Sequence, residues 1–172
     1  MAHGIIQKDA VMAKDIDSLN RIAVGAADLD NGNVVRLLTK TGQVWAATQP
    51  ASTAGLQHLW MVAEPVQVKT GGAFLNIDVT PGNFYVLTGD EFSAFKPQLG
   101  DIITLTADAL GGTLGANTFV VATAGTYELT WAAAAVSGLS LELKATSYIS
   151  VADGTIGTQR VTAYQFEVVA IA

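Results

Sequence analysis

Of all the stretches in the chain, Asp28-Leu29-Asp30-Asn31-Gly32-Asn33 comes nearest to a chemical motif. Its oxygen-bearing side chains alternate as they do at the start of a calcium-binding EF-hand loop. The match then fails, because the glycine comes one position too early and Thr39 stands where a bidentate Glu has to close the coordination shell. A turn fits better: Asp and Asn side chains bond to nearby backbone, and Asn-Gly is the pair favoured in a two-residue hairpin, where both positions take positive φ.

Other chemistry is as poorly supplied. His3 and His58 lie far apart, and neither has a second ligand at metal-binding spacing; His58, beside Leu59, Trp60 and Met61, reads as a strand-edge or interface histidine. No G-x-S-x-G turn presents a nucleophilic serine, and no cysteine exists to supply a thiol. Asp90 and Asp101 each follow a glycine and Asp153 precedes one, the setting of a solvated, turn-forming carboxylate rather than a general acid or base. Gly111-Gly112 with Gly115 lacks the Lys-Ser or Lys-Thr of a phosphate loop. Trp45, Trp60 and Trp131 have close apolar neighbours in strand-like runs, which suits core anchors better than sugar-stacking platforms. The expectation is a protein with no catalytic residue, no cofactor and no metal.

The elements that would position such residues are strands. Leu139, Leu141 and Leu143 alternate with Ser140 and Glu142, and Tyr164, Phe166 and Val168 with Gln165 and Glu167, giving a closing strand that continues to Ile171. Further strand-like runs are 34–38, 43–46, 59–62, 84–87, 102–106, 119–121, 127–131 and 148–151. Turn signals at Asn31-Gly32, Thr41-Gly42 and Asp153-Gly154 separate some of them, and looser ones at Gly71-Gly72, Pro81-Gly82 and Gly111-Gly112 separate others. Short strands at this spacing predict a mainly β chain, a β-sandwich or β-barrel body with little helix. The segment Asp15 to Val24 is a candidate short helix, and Ala132 to Ala135 either one helical turn or a buried strand.

The chain divides into an N-terminal arm over 1–20, a β-rich lobe over 21–80 and a β-barrel or sandwich body over 81–172. The arm mixes Ile5, Ile6, Val11 and Met12 with isolated charges. Those four are the candidate partner contacts if the arm orders on a neighbour; the alternative is a first strand tucked into the protein's own sheet.

Composition bounds the partners. The formal charge is −6, and the nine Lys and Arg residues are scattered singly, which argues against nucleic acid. No apolar run approaches the roughly 18 residues of a membrane helix. The charged start lacks the apolar stretch of a signal peptide and is expected to belong to the working protein. Only 14% of residues are charged, against about 25% in an average soluble protein, so part of the exterior is expected to be covered by neighbours.

The segment from Thr88 to Thr106 carries Gly89-Asp90, an aromatic-containing strand with Phe92 and Phe95, and a second Gly100-Asp101 ahead of Ile102-Ile103-Thr104-Leu105-Thr106. This pattern, with the Met1-Ala2-His3-Gly4 start, resembles bacteriophage head decoration (capsid cement) proteins. The resemblance implies a structural virion protein on the capsid exterior, bound to the major capsid protein, often homotrimeric, with no catalytic residues to carry over. From the residues themselves, Ile103 and Leu105 are expected to face the core and Thr104 and Thr106 to face outward. A tail or baseplate component and a carbohydrate-binding module are the competing expectations.

Overall fold

The protein is seen in a computed structural model that describes residues 3–51, 56, 58–64, 69–70, 73–74, 84–152 and 158–171. Its strands are β1 (Ile6–Ala10), β2 (Asn20–Gly25), β3 (Val34–Thr41), β4 (Val44–Thr48), β5 (Trp60–Val62), β6 (Lys69–Thr70), β7 (Ala73–Phe74), β8 (Glu91–Phe95), β9 (Ile102–Thr106), β10 (Leu110–Gly111), β11 (Phe119–Ala122), β12 (Leu129–Ala132), β13 (Leu139–Ala152) and β14 (Thr158–Ile171). The only helical pieces among the described residues are short 3₁₀ turns. The chain is mainly β, as its alternation predicts.

Two bodies are built from these strands. β2, β4, β3, β5 and β8 close into a barrel, while a seven-stranded sheet runs β1-β9-β14-β13-β11-β12-β10. A strand sends successive side chains to opposite faces, and this joins the bodies. Val35, Val62 and Ala94 point into the barrel interior with Ala23, Leu29 and Phe92. Their neighbours Val34, Met61 and Phe95 point the other way and share a core with Ile103, Leu105, Leu141 and Phe166 of the large sheet. The chain is threaded through both bodies: β8, which closes the barrel, follows the expected boundary near residue 80, and β1 of the large sheet precedes the barrel strands.

The N-terminal segment is extended, and it lies on its own molecule. β1 pairs antiparallel with β9, from Ile6↔Leu105 to Ala10↔Ile102, with an irregularity around Asp9. Val11 and Ala13 are buried in the shared core. Of the two readings of the first twenty residues, the strand tucked into its own sheet is the one formed. The expectation that Thr104 and Thr106 face outward is corrected for the same reason, since both are buried under this segment. Their hydroxyls are satisfied there: Thr104 Oγ1 donates to Asp9 Oδ2 at 2.6 Å, and Thr106 Oγ1 accepts from Ile5 N at 2.9 Å.

Local chemistry accounts for the other departures. Asp15 to Val24 forms a 3₁₀ turn over Asp17–Leu19 and then β2, because the barrel recruits Ala23 to its interior. Phe84 to Leu87 contributes a single bridge, Leu29↔Val86. Of Ala132 to Ala135, Ala132 ends β12 half-buried and the other three form an exposed loop, so the segment is neither a helical turn nor a buried strand. A tight hairpin does form beside Thr41-Gly42, but Thr41 pairs with Val44, so the turn residues are Gly42, at φ 62°, and Gln43. Asn31-Gly32 makes no hairpin, for β2 and β3 are not neighbours. Only Gly32 has positive φ there, at 93°, and Asn33 N donates to Asp30 O, as in a turn with glycine at its third position. Gly71-Gly72, Pro81-Gly82 and Asp153-Gly154 lie outside the described residues.

Candidate functional site

Two surface features gather polar and aromatic side chains. The first is an open recess of about 730 Å³. It is lined by His3 from the N-terminal segment, Asp28, Asp30 and Asn33 from the β2–β3 connection, Tyr85, Asp108, and Thr126, Tyr127 and Glu128 ahead of β12. Backbone bonds fix these pieces: Val34 N donates to Tyr127 O at 2.7 Å, and Leu29 and Val86 exchange bonds at 2.9 and 2.8 Å.

His3 is the pivot of the recess. Its Nδ1 lies 2.7 Å from Asp30 Oδ1, and its ring stacks on Tyr85 at 4.5 Å between centroids. Gly4 follows because nothing larger fits: a Cβ there would lie 2.6 Å from the carbonyl oxygen of Asn31 and 2.8 Å from Ala109 Cβ. Asp28 Oδ1 accepts from both the backbone N and the hydroxyl of Thr88, each at 2.8 Å. The backbone bond, then the hydroxyl bond, holds the Asp28 carboxyl below its ordinary pKa. The recess is acidic, with no Lys or Arg among the described residues of its lining, and an acidic surface attracts positive charge. The Asp28-to-Asn33 stretch spends its oxygens on structure: Asn33 Oδ1 accepts from Asp30 N, and the Asn31 side chain bonds to Glu64. Among the described residues no group of three or more His, Cys, Asp or Glu is placed to hold a metal ion.

The second feature is the far end of the long β13–β14 hairpin. Over the base of that hairpin β14 also pairs with β9 and β13 with β11, but from Tyr148↔Thr162 to Ala152↔Thr158 the two strands pair only with each other. The overhang is roughly 15 Å long at about 3.4 Å per residue. Its inner face holds Ile149, Val151 and Val161, packed with Ile5. On its outer face Tyr148 is 54% exposed and carries the Arg160 guanidinium 4.8 Å from its ring centroid. Arg160 is the one charged residue among the described residues of the overhang. Lys144, at the hairpin's base, bonds Glu142 on its own strand at 2.7 Å and Glu167 across on β14 at 2.9 Å. Those two bonds raise its pKa, the one to Glu142 most.

The four candidate contact residues are dispersed by the fold. Val11 is core, Ile6 packs against the shared core, and Ile5 supports the overhang. Met12 alone is exposed, at 51%, and with Leu99 at 57% it borders a shallow depression of about 430 Å³ rimmed by Asp9, Lys14 and Asp15. Beneath it lies Asp101, which is buried rather than solvated; its two oxygens accept from Met12 N at 3.0 Å and Gln98 N at 2.9 Å. Asp90 is half-buried at its turn, and Asp153 lies outside the described residues. His58 is exposed in the left-handed conformation, φ 59°, ahead of β5.

The tryptophans are partly buried against the cores. Trp45 and Trp60 pack on the barrel interior, and Arg21 lies over the Trp60 ring at 5.3 Å. Trp131 meets Tyr164 edge-on at 5.2 Å and Phe166 at 5.6 Å. Gly111 faces an acid, as a Cβ there would lie 2.8 Å from Glu128 Oε2, an environment that repels phosphate.

The fold thus defines a class: a small closed barrel packed through a shared core on an open, mostly antiparallel sheet, with an overhanging hairpin. No family model, no curated protein and no solved structure matches the chain.

Proposed function

We propose that the protein is a structural, non-enzymatic adhesion module, specifically a decoration protein that binds the outside of a phage head through the major capsid protein and stabilises the shell. The observation that carries this reading is the overhanging end of β13–β14, a nearly uncharged ribbon that holds Tyr148 and Arg160 outward. Tyr and Arg are among the residues enriched where protein contacts carry most of their energy: Tyr covers a large area with two torsions to freeze, and Arg presents a planar fork of five donors. Exposed Met12, Leu99, Ile22 and Leu38 on a lightly charged chain support it. The Thr88–Thr106 pattern adds the resemblance to head decoration proteins. A trimer around a shell symmetry axis multiplies modest contacts by avidity.

The test is co-sedimentation of the purified protein with mature shells of the phage that encodes it, with copy number read from gel densitometry. Saturable binding at a stoichiometry matching shell lattice positions is expected. Absence of binding to intact shells, or a copy number of a few per particle, overturns the decoration reading.

A further inference from the structure

Asparagine followed by glycine is the dipeptide most prone to deamidation. The backbone nitrogen of the glycine loses its proton and attacks the side-chain Cγ of the asparagine. A C–N bond forms, ammonia leaves, and water then opens the cyclic imide to aspartate or isoaspartate. Asn31-Gly32 has that sequence and sits in an unusual setting.

Three features hold the reaction off. The Gly32 N–H donates to Val62 O at 2.9 Å, so the attacking nitrogen is engaged. Both ends of the Asn31 amide are bound to one residue: Oδ1 accepts from Glu64 N at 2.7 Å, and Nδ2 donates to Glu64 O at 3.1 Å. Asn31 is 6% exposed, which keeps the water needed for hydrolysis away. Together these bonds do for the end of β5 what a neighbouring strand would do, and they staple the turn to the residues after Val62.

We propose that Asn31-Gly32 is a latent deamidation site, closed in the folded protein and opened only when the turn detaches from β5, and that conversion there breaks the staple irreversibly. An aspartate at 31 keeps an acceptor for Glu64 N but presents a second oxygen to Glu64 O, two acceptors facing each other in a buried place. Isoaspartate also lengthens the main chain by one carbon, and Gly32 is closely packed: a Cβ there would lie 2.9 Å from Leu105 Cδ2 and 3.2 Å from Ala109 Cβ. The N-terminal segment feels the change, because Gly4 rests on the Asn31 carbonyl and His3 bonds the adjacent Asp30.

The experiment incubates the full chain at mildly alkaline pH, folded in buffer and unfolded in urea, and measures aspartate plus isoaspartate at position 31 by peptide mapping. Conversion in the unfolded chain is expected to be at least about tenfold faster, since reaction from the folded state has to await local opening. Equal rates overturn the closed-site claim. In parallel, N31D is expected to unfold at lower urea than the wild type or to fail to fold, either of which supports the staple; N31D with wild-type stability overturns it.

Discussion

Asp101 shows how a single side chain ties distant parts of the chain together. Its oxygens accept from the amides of Met12 and Gln98, which lie 89 and 3 residues away, and hydrogen bonds to a buried charged acceptor contribute roughly 1.5–3 kcal/mol each. D101A is therefore expected to lower unfolding free energy by about 3 kcal/mol in urea titration, and D101N, which keeps one acceptor, by about half of that. Asp28 makes a different prediction. Its folded pKa lies below the ordinary value because Thr88 donates two bonds to the carboxylate. The stability it contributes is complete above the unfolded pKa, about 3.9, and is lost as pH falls through the lower folded value. Acid titration of wild type and D28N should then show a stability difference that is constant at neutral pH and shrinks below about pH 4. At this scale the sequence was only partly legible. Gly100-Asp101 announces its turn, but the Met12 amide that buries the carboxylate comes from a strand pairing across the molecule. Gly4 carries no local signal either, since the obstacle to a larger side chain is the carbonyl of Asn31.

Among the elements, strands with one buried face were the readable ones. Leu139 and Leu141 on β13 and Phe166 and Val168 on β14 are buried as their alternation predicts. Phe166 is fully buried against Trp131 and Tyr164, so F166A is expected to cost about 3–5 kcal/mol in the same titration. β1 was harder to see. Gln7, Lys8 and Asp9 give it the composition of a solvated segment, and only its pairing with β9 makes it structural. Such polar residues suit an edge strand, where charge and an irregular register discourage pairing with foreign chains. Because β1 covers Thr104 and Thr106 and is followed by buried Val11 and Ala13, deleting Met1 to Asp17 is expected to destabilise the whole fold. Loss of the cooperative transition in circular dichroism on heating would show it; a truncated chain as stable as the parent would contradict it.

For the molecule as a whole, the adhesion reading makes the overhang of β13–β14 the place to intervene. Tyr148 and Arg160 are solvent-facing, so the double variant Y148A/R160A is expected to leave thermal stability within about 0.5 kcal/mol of wild type. Its attachment to shells should fall by at least about tenfold, as truncation of a central contact pair does. Undiminished attachment would move the contact surface elsewhere, Met12 and Leu99 being the next candidates. The mainly β body was legible from periodicity, whereas the division into barrel and sheet was not, because β1 and β8 each join strands that are remote in sequence. That threading has a bearing on biosynthesis. All five barrel strands lie between Asn20 and Phe95, so the barrel can close before the strands that follow Phe95 have been made. β9 gains its second neighbour only when β14, which begins at Thr158, emerges. Until then one edge of β9 stays open and the apolar side chains of the shared core wait for Phe166 and Val168, which makes completion of the large sheet a late and comparatively slow event.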